Sequence, residues 1–221
     1  MRGRSKRGTT ALQKRKLDHL QLAKSGLHQQ LLPVGNQVVP RIRFAGFGGE
    51  WEKGPLGAAT KIAKGSQRGK ADILLGPDDD NPYPVFNGGR VPSGYTDEFN
   101  RENKVMVSEG GASAGFVNFY PGKYWSGGHN FTIDNLNHNL IFVKAILESR
   151  QNGLYDLRVG SGLPNIQLGS ISAFEVPFPA KEEQAMFATL FFAMDLIVEH
   201  QASKLAALTE LKSTLLRHMF I

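Results

Sequence analysis

Lys61, Lys64, Arg68 and Lys70 fall in one short stretch, KIAKGSQRGK (61–70), with Ser66 and Gln67 among them. Cations supply phosphate contacts, while hydroxyl and amide side chains supply hydrogen bonds to base edges. This mixture therefore has the chemistry of a nucleic-acid contact. A solvated loop reads the same way, and Asp78, Asp79 and Asp80 soon afterwards would repel phosphate unless turned away. Asn87 and Arg90 in NGGR form a second candidate, suited to bidentate contacts with adenine and guanine. Asn-Gly is equally an ordinary hairpin turn. GGASAG (110–115) and PGKYWSGGHN (121–130) form the third, where Ser113, Lys123, Tyr124, His129 and Asn130 offer hydroxyls, a cation, rings and an amide. Trp125 in the same run suits a core position better than a base-stacking platform.

Catalytic and metal chemistry finds less support. FAGFGGEW (44–51) contains the F-x-G-x-G pattern of S-adenosylmethionine loops. Such loops hand over to a helix N-terminus, whereas Lys53-Gly54-Pro55 interrupts any helix here. Asp80-Asn81-Pro82-Tyr83-Pro84 approaches an amino-methyltransferase motif but lacks its tandem proline. His129 and His138 have no third ligand in register, so no metal site is expected. No nucleophilic triad or phosphate-binding loop stands out.

The 221 residues carry a net charge of +6 and no cysteine. Seven cations and no acid lie in residues 1–16, so the remaining 19 Lys and Arg face 20 Asp and Glu. The excess sits in a basic N-terminal arm, either a tail touching nucleic acid or a solubilising leader. No apolar h-region follows it, and no apolar run of about 18 residues occurs, so neither a secretory signal nor a membrane span is expected. The absence of cysteine fits a cytoplasmic location.

Two segments have helical period. KLDHLQLAKSGLHQQLL (16–32) repeats leucine at Leu17, Leu20, Leu27 and Leu31. A second helix follows Pro179 to the end, with a seam of Leu190, Met194, Ile197, Leu205, Leu208 and Leu215 that shifts near Gln201. At about 1.5 Å per residue it would be roughly 55–60 Å long and needs a partner to cover its seam. Residues 16–32 laid over 204–220 match at Lys16/Lys204, Leu17/Leu205, Leu20/Leu208, Lys24/Lys212, Ser25/Ser213 and Leu27/Leu215. One structural unit of about 188 residues follows, with the first helix as the partner. Between the helices, short β-type runs (42–44, 104–108, 116–120, 131–134, 173–178) and one helix at 139–151, ended by Asn152-Gly153, predict an α+β class. The expected division is 1–39, 40–178 and 179–221: one mixed domain flanked by long coiled-coil-forming helices.

The PAKEEQ opening of the last helix, its ending LTELKSTLLRHMF, and LAKSGLHQQLLPVG followed by VPRIRFAGFGGEWEKGPLG occur in one chain with SEGGASAGFVNFYPGKYW and GSGLPNIQLGSISAFEVPFP. In this order, from about residue 16 onwards, they resemble the specificity subunits of type I restriction-modification systems. The resemblance implies a non-catalytic subunit whose target-recognition domain (40–178) reads duplex DNA through turn-rich loops at 76–94 and 108–130. Helical residues, with Glu183 and Gln184 counted among them, would dock partners. Those implied are a methyltransferase subunit and a restriction subunit, which would carry the S-adenosylmethionine, ATP and magnesium absent from this chain. FAGFGGEW then becomes the turn leading into the domain, anchored by Trp51. Full-length members carry two recognition domains and this sequence shows one, so it reads as a half-length form. A homodimer through the long helices would restore the second half and read inverted half-sites. A methyltransferase, a coiled-coil assembly protein without DNA function and a truncated, non-assembling subunit are the alternatives.

Overall fold

The structure, a computed structural model, describes residues 3–35 and 37–219. The side chains of Arg2, Arg4, Lys6 and Arg7 in the basic arm, and those of Met219 and Phe220 in the sequence repeat, lie outside the described residues. The chain runs α1 (Gly3–Leu31), β1 (Glu52–Pro55), α2 (Leu56–Ala59), β2 (Lys61–Lys64), β3 (Tyr83–Phe86), β4 (Gly94–Thr96), β5 (Arg101–Ser108) and β6 (Val117–Ser126). It continues through β7 (Asn130–Asp134), α3 (Leu140–Ser149), α4 (Gln151–Asp156), α5 (Leu168–Ser172), β8 (Glu175–Phe178) and α6 (Lys181–Met219). A six-stranded sheet has the order β2-β7-β5-β6-β3-β4, and β1 pairs with β8 separately. All neighbours are antiparallel except β3 beside β6.

Alternation along β5 divides two cores. Val105 and Val107 point into the main one, while Met106 joins Phe86 and Tyr124 in a smaller cluster on the opposite face. Over the main face lies α3, started by Asn139, whose side-chain oxygen accepts from the N–H groups of Ile141 (3.0 Å) and Phe142 (3.3 Å). Phe142, Val143, Ile146 and Leu147 of α3 are buried, each contributing about 1.5–3 kcal/mol by leaving water. Trp51 anchors the turn into this domain as expected, buried and edge-on to Phe142 and Phe187 at 5.7 and 5.4 Å. Gly46 (φ 90°) and Gly49 (φ 76°) supply the left-handed backbone of that turn.

The long helices pair antiparallel. The Gln13 backbone oxygen and Oε1 accept from Gln201 Nε2 (3.1 and 2.7 Å), Lys24 pairs with Asp195 (2.5 Å), and His28 stands edge-on to Phe191 at 4.5 Å. Inward positions recur at alternating steps of three and four: Thr10, Gln13, Leu17, Leu20, Lys24 and Leu27 on α1, and Phe187, Phe191, Met194, Val198, Gln201, Leu205 and Leu208 on α6. That is the heptad rhythm of a coiled coil. Both helices enter the domain: Leu31, Leu32, Phe187 and Phe191 belong to its core.

Several sequence expectations are corrected. Residues 42–44 form no strand, because side chains and not a ladder hold them. Arg43 grips Glu183 with Nε and Nη2, both at 2.7 Å, Phe44 stands edge-on to Phe187, and Ile42 faces solvent. The helix expected over 139–151 breaks at Arg150, whose guanidinium turns to the carbonyls of Gly35 (2.5 Å), Gln37 (3.3 Å) and Pro33 (3.4 Å). Asn152-Gly153 then lies inside α4. Glu183 and Gln184 are buried and serve the domain, not a docking partner. Gln184 accepts from the Asn139 N–H (3.0 Å) and donates to the Pro179 carbonyl (2.9 Å). Ile197 lies on the exposed side of α6, outside the seam in which Met194, Leu205 and Leu208 are half-buried, whereas Leu215 keeps the spacing of that seam but is 39% exposed.

Candidate nucleic-acid interface

Five glycine-bearing loops, far apart in sequence, meet along one edge of the sheet. The loop after β2 is tied to the β6–β7 turn, with Gly65 N–H donating to Asn130 O and Ser66 N–H to Ser126 O, both at 2.8 Å. A Cβ on Gly65 would stand inside the Gly127 carbonyl, which is why the backbones approach so closely. The loop after β3 joins from the other side, where Gly127 N–H donates to Phe86 O (2.8 Å) and His129 N–H to Asn87 Oδ1 (3.2 Å). Glu109 N–H donates to His129 O (2.9 Å), linking the loop after β5, and Gly111 N–H reaches Pro164 O (3.0 Å), linking 160–165. The loops are thus one hydrogen-bonded row on a rigid sheet, the arrangement that suits a recognition surface.

This row brings together Ser66, Gln67, Asn87 and His129, the loop residues predicted from the sequence. Ser66, Gln67, Lys70, Arg90, Lys123 and His129 are exposed, as is Lys61 on β2. Lys70 and Arg90 form no ion pair among the described residues; Arg90 lies over the Phe116 ring at 4.6 Å and Lys123 over Phe99 at 4.5 Å. Two other predicted cations are engaged internally. Lys64 pairs with Glu109 at 2.7 Å, while Arg68 pairs with Asp97 and with Glu98 (2.9 Å) and covers the Trp125 ring at 4.6 Å. Ser113 is half-buried in the turn after β5.

Two residues are corrected outright. Tyr124 is fully buried in the small cluster, where burial pushes its phenol well above the usual range. Asn130 is buried as well, its amide reaching Phe86 O at 3.4 Å. Alternation places both on the inner side of their strands, a register that loop composition does not reveal. Trp125 is half-buried, its indole N–H donating to Ser66 O (2.9 Å) and one face covered by Arg68, so the ring supports the row. Sequence reasoning missed Glu109, which holds Lys64 and lies 3.8 Å from His129 Nδ1. It also missed Asn165, exposed on 160–165. The glycine pair 110–111 and the glycines of 160–162 were the available signals.

Among the described residues no group of three or more His, Asp or Glu is placed to hold a metal ion, and no helix is long and apolar enough to cross a membrane. The sequence pattern of the type I restriction modification DNA specificity domain matches residues 49–210. The chain belongs to that family. A putative type I specificity subunit of Mycoplasma pneumoniae is 32% identical over 155 residues, 68% of this chain and 40% of the relative. One from Mycoplasma genitalium is 32% identical over 158 residues, 69% of this chain and 40% of the relative. This specificity domain chain therefore spans 40% of the curated relatives it matches. The crystal structure of a type I restriction-modification S subunit from M. genitalium superposes with a TM-score of 0.63 at 29% identity, over 78% of this chain and 43% of that one. The HsdS subunit of Thermoanaerobacter tengcongensis shares the fold, with a TM-score of 0.60 at 16% identity over 97% of this chain and 54% of that one.

Proposed function

We propose that the chain is a non-catalytic DNA-recognition unit of a type I restriction-modification complex, reading one half-site with the row of loops along the sheet edge. The observation that carries this is the row itself: five loops fastened to one another, presenting Ser66, Gln67, His129 and Asn165 with the exposed cations Lys70 and Arg90, while half-buried Asn87 holds the His129 N–H in place. Amides suit adenine, the imidazole and hydroxyl suit several bases, and the cations suit phosphate. The helical rod would dock a methyltransferase subunit, and with it a restriction subunit. S-adenosylmethionine, ATP and magnesium would reside on those partners, in the cytoplasm. Two copies joined through their long helices would present two such domains and read an inverted repeat.

The test is selection of duplexes from a randomised pool, followed by affinity measurements across salt concentrations. A selected consensus with a steep salt slope is expected. Absence of duplex binding at low salt would overturn the reading and favour a coiled-coil assembly protein.

A further inference from the structure

The pairing of α1 with α6 has an internal symmetry. Residues 16–32 resemble 204–220 at a constant offset of 188, and the bonded pair Gln13–Gln201 is separated by the same 188 residues. Adding that offset to Gln13, Leu17, Leu20 and Lys24 on the inward side of α1 gives Gln201, Leu205, Leu208 and Lys212, all inward on α6. In the residues it turns inward, α1 repeats the far half of the helix it covers.

We infer that the seat of α1 on α6 is equally a seat for α6 of a second copy of this chain, and that α1 is the built-in competitor for it. With α1 displaced, two α6 helices pair antiparallel about a two-fold axis through Gln201, which faces the partner's Gln201 as it now faces Gln13. The partner's Lys212 then takes the place of Lys24 beside Asp195, and Leu205 and Leu208 replace Leu17 and Leu20. A polar pair at one core position fixes register in coiled coils, so the glutamines select this alignment over shifted ones. The closed form is favoured at low concentration because α1 is tethered, and the exchanged form gains with concentration. Hence the long-helix dimer forms by exchange, not by simple addition. This deepens the two-copy reading above and needs no DNA.

The chain contains no cysteine, so Gln201→Cys is a clean reporter. Under oxidation it is expected to cross-link two copies at that position, whereas Gln13→Cys with Gln201→Cys closes within one chain and abolishes the dimer. Leu20→Glu places a charge on the α1 side of the seam and leaves α6 intact. It is expected to strengthen dimerisation tenfold or more, moving the sedimenting mass from 24.3 kDa towards twice that value. Circular dichroism confirms that the domain stays folded. A folded Leu20→Glu chain that remains monomeric at high micromolar concentration, or Gln201→Cys chains that never cross-link, overturns the inference. Loss of duplex binding with the cross-link intact sinks the recognition function alone.

Discussion

A cation contributes to DNA affinity only through charge it has not already given to a carboxylate. Arg68 and Lys70 sit two residues apart in the same stretch, yet Arg68 is clamped by Asp97 and Glu98 while Lys70 is exposed and unpaired among the described residues. Lys70→Ala is expected to flatten the salt dependence of duplex binding by about one unit, and Arg90→Ala likewise. Arg68→Ala leaves that slope nearly unchanged and instead loosens the loop against Trp125. Equal slopes for Lys70→Ala and Arg68→Ala would remove the distinction. Glu183 carries a second residue-scale prediction. It is fully buried, and among the described residues Arg43 alone neutralises it, with two hydrogen bonds at 2.7 Å. Arg43→Met leaves that carboxylate uncompensated and is expected to cost about 3–5 kcal/mol in denaturant unfolding. Arg43→Met with Glu183→Leu should recover much of the loss, because the desolvated charge is then gone.

Between elements, the junction of α1, α3 and α6 is held by charges that acid removes. Lys24 from α1 and Lys144 from α3 both meet Asp195 on α6, at 2.5 and 2.6 Å. Burial alone would raise the Asp195 carboxyl, but the two ammonium groups outweigh it and hold it below the usual range. His28 lies in the same junction, lowered from 6.5 to about 4 by burial and then by Lys24 and Lys144. Both folded-state values are depressed, so the stability they contribute is complete above the unfolded values and is lost as pH falls. The His28 share, up to about 3 kcal/mol, fades between 6.5 and about 4, and the Asp195 share follows in the carboxylate range. Unfolding measured from pH 7 to pH 4 should show this decline, and His28→Phe should remove its upper part. A pH-independent wild-type midpoint over that span would contradict the account. The helices themselves were legible in the sequence because leucine spacing is a local signal. The charged junction was not, since Lys24, Lys144 and Asp195 are brought together only by tertiary packing. The loop row was half legible: glycine runs announced tight backbone approach, but which side chains turned outward depended on strand register and hid the burial of Tyr124 and Asn130.

At the scale of the molecule, α6 has two faces and the fold uses one. Its inward seam is covered by α1 and by the domain, which leaves Met186, Phe192, Leu196 and Ile197 exposed along the other side. Phe192 and Leu196 are 52% and 50% exposed, one helical turn apart, so they form a continuous apolar strip and not scattered surface residues. The exchange of α1 for a second α6 would leave this strip untouched, because exchange occupies only the inward seam. On the proposed reading as a recognition unit, the strip would be the part of the rod that meets a methyltransferase subunit, whether one copy or two are present. Phe192→Glu with Leu196→Glu is expected to abolish co-purification with that subunit while the unfolding free energy moves by less than about 0.5 kcal/mol for each solvent-facing change. DNA binding by the isolated chain should be unaffected, since the loop row is built from other elements. Retention of the methyltransferase subunit by this double variant would place its contact elsewhere.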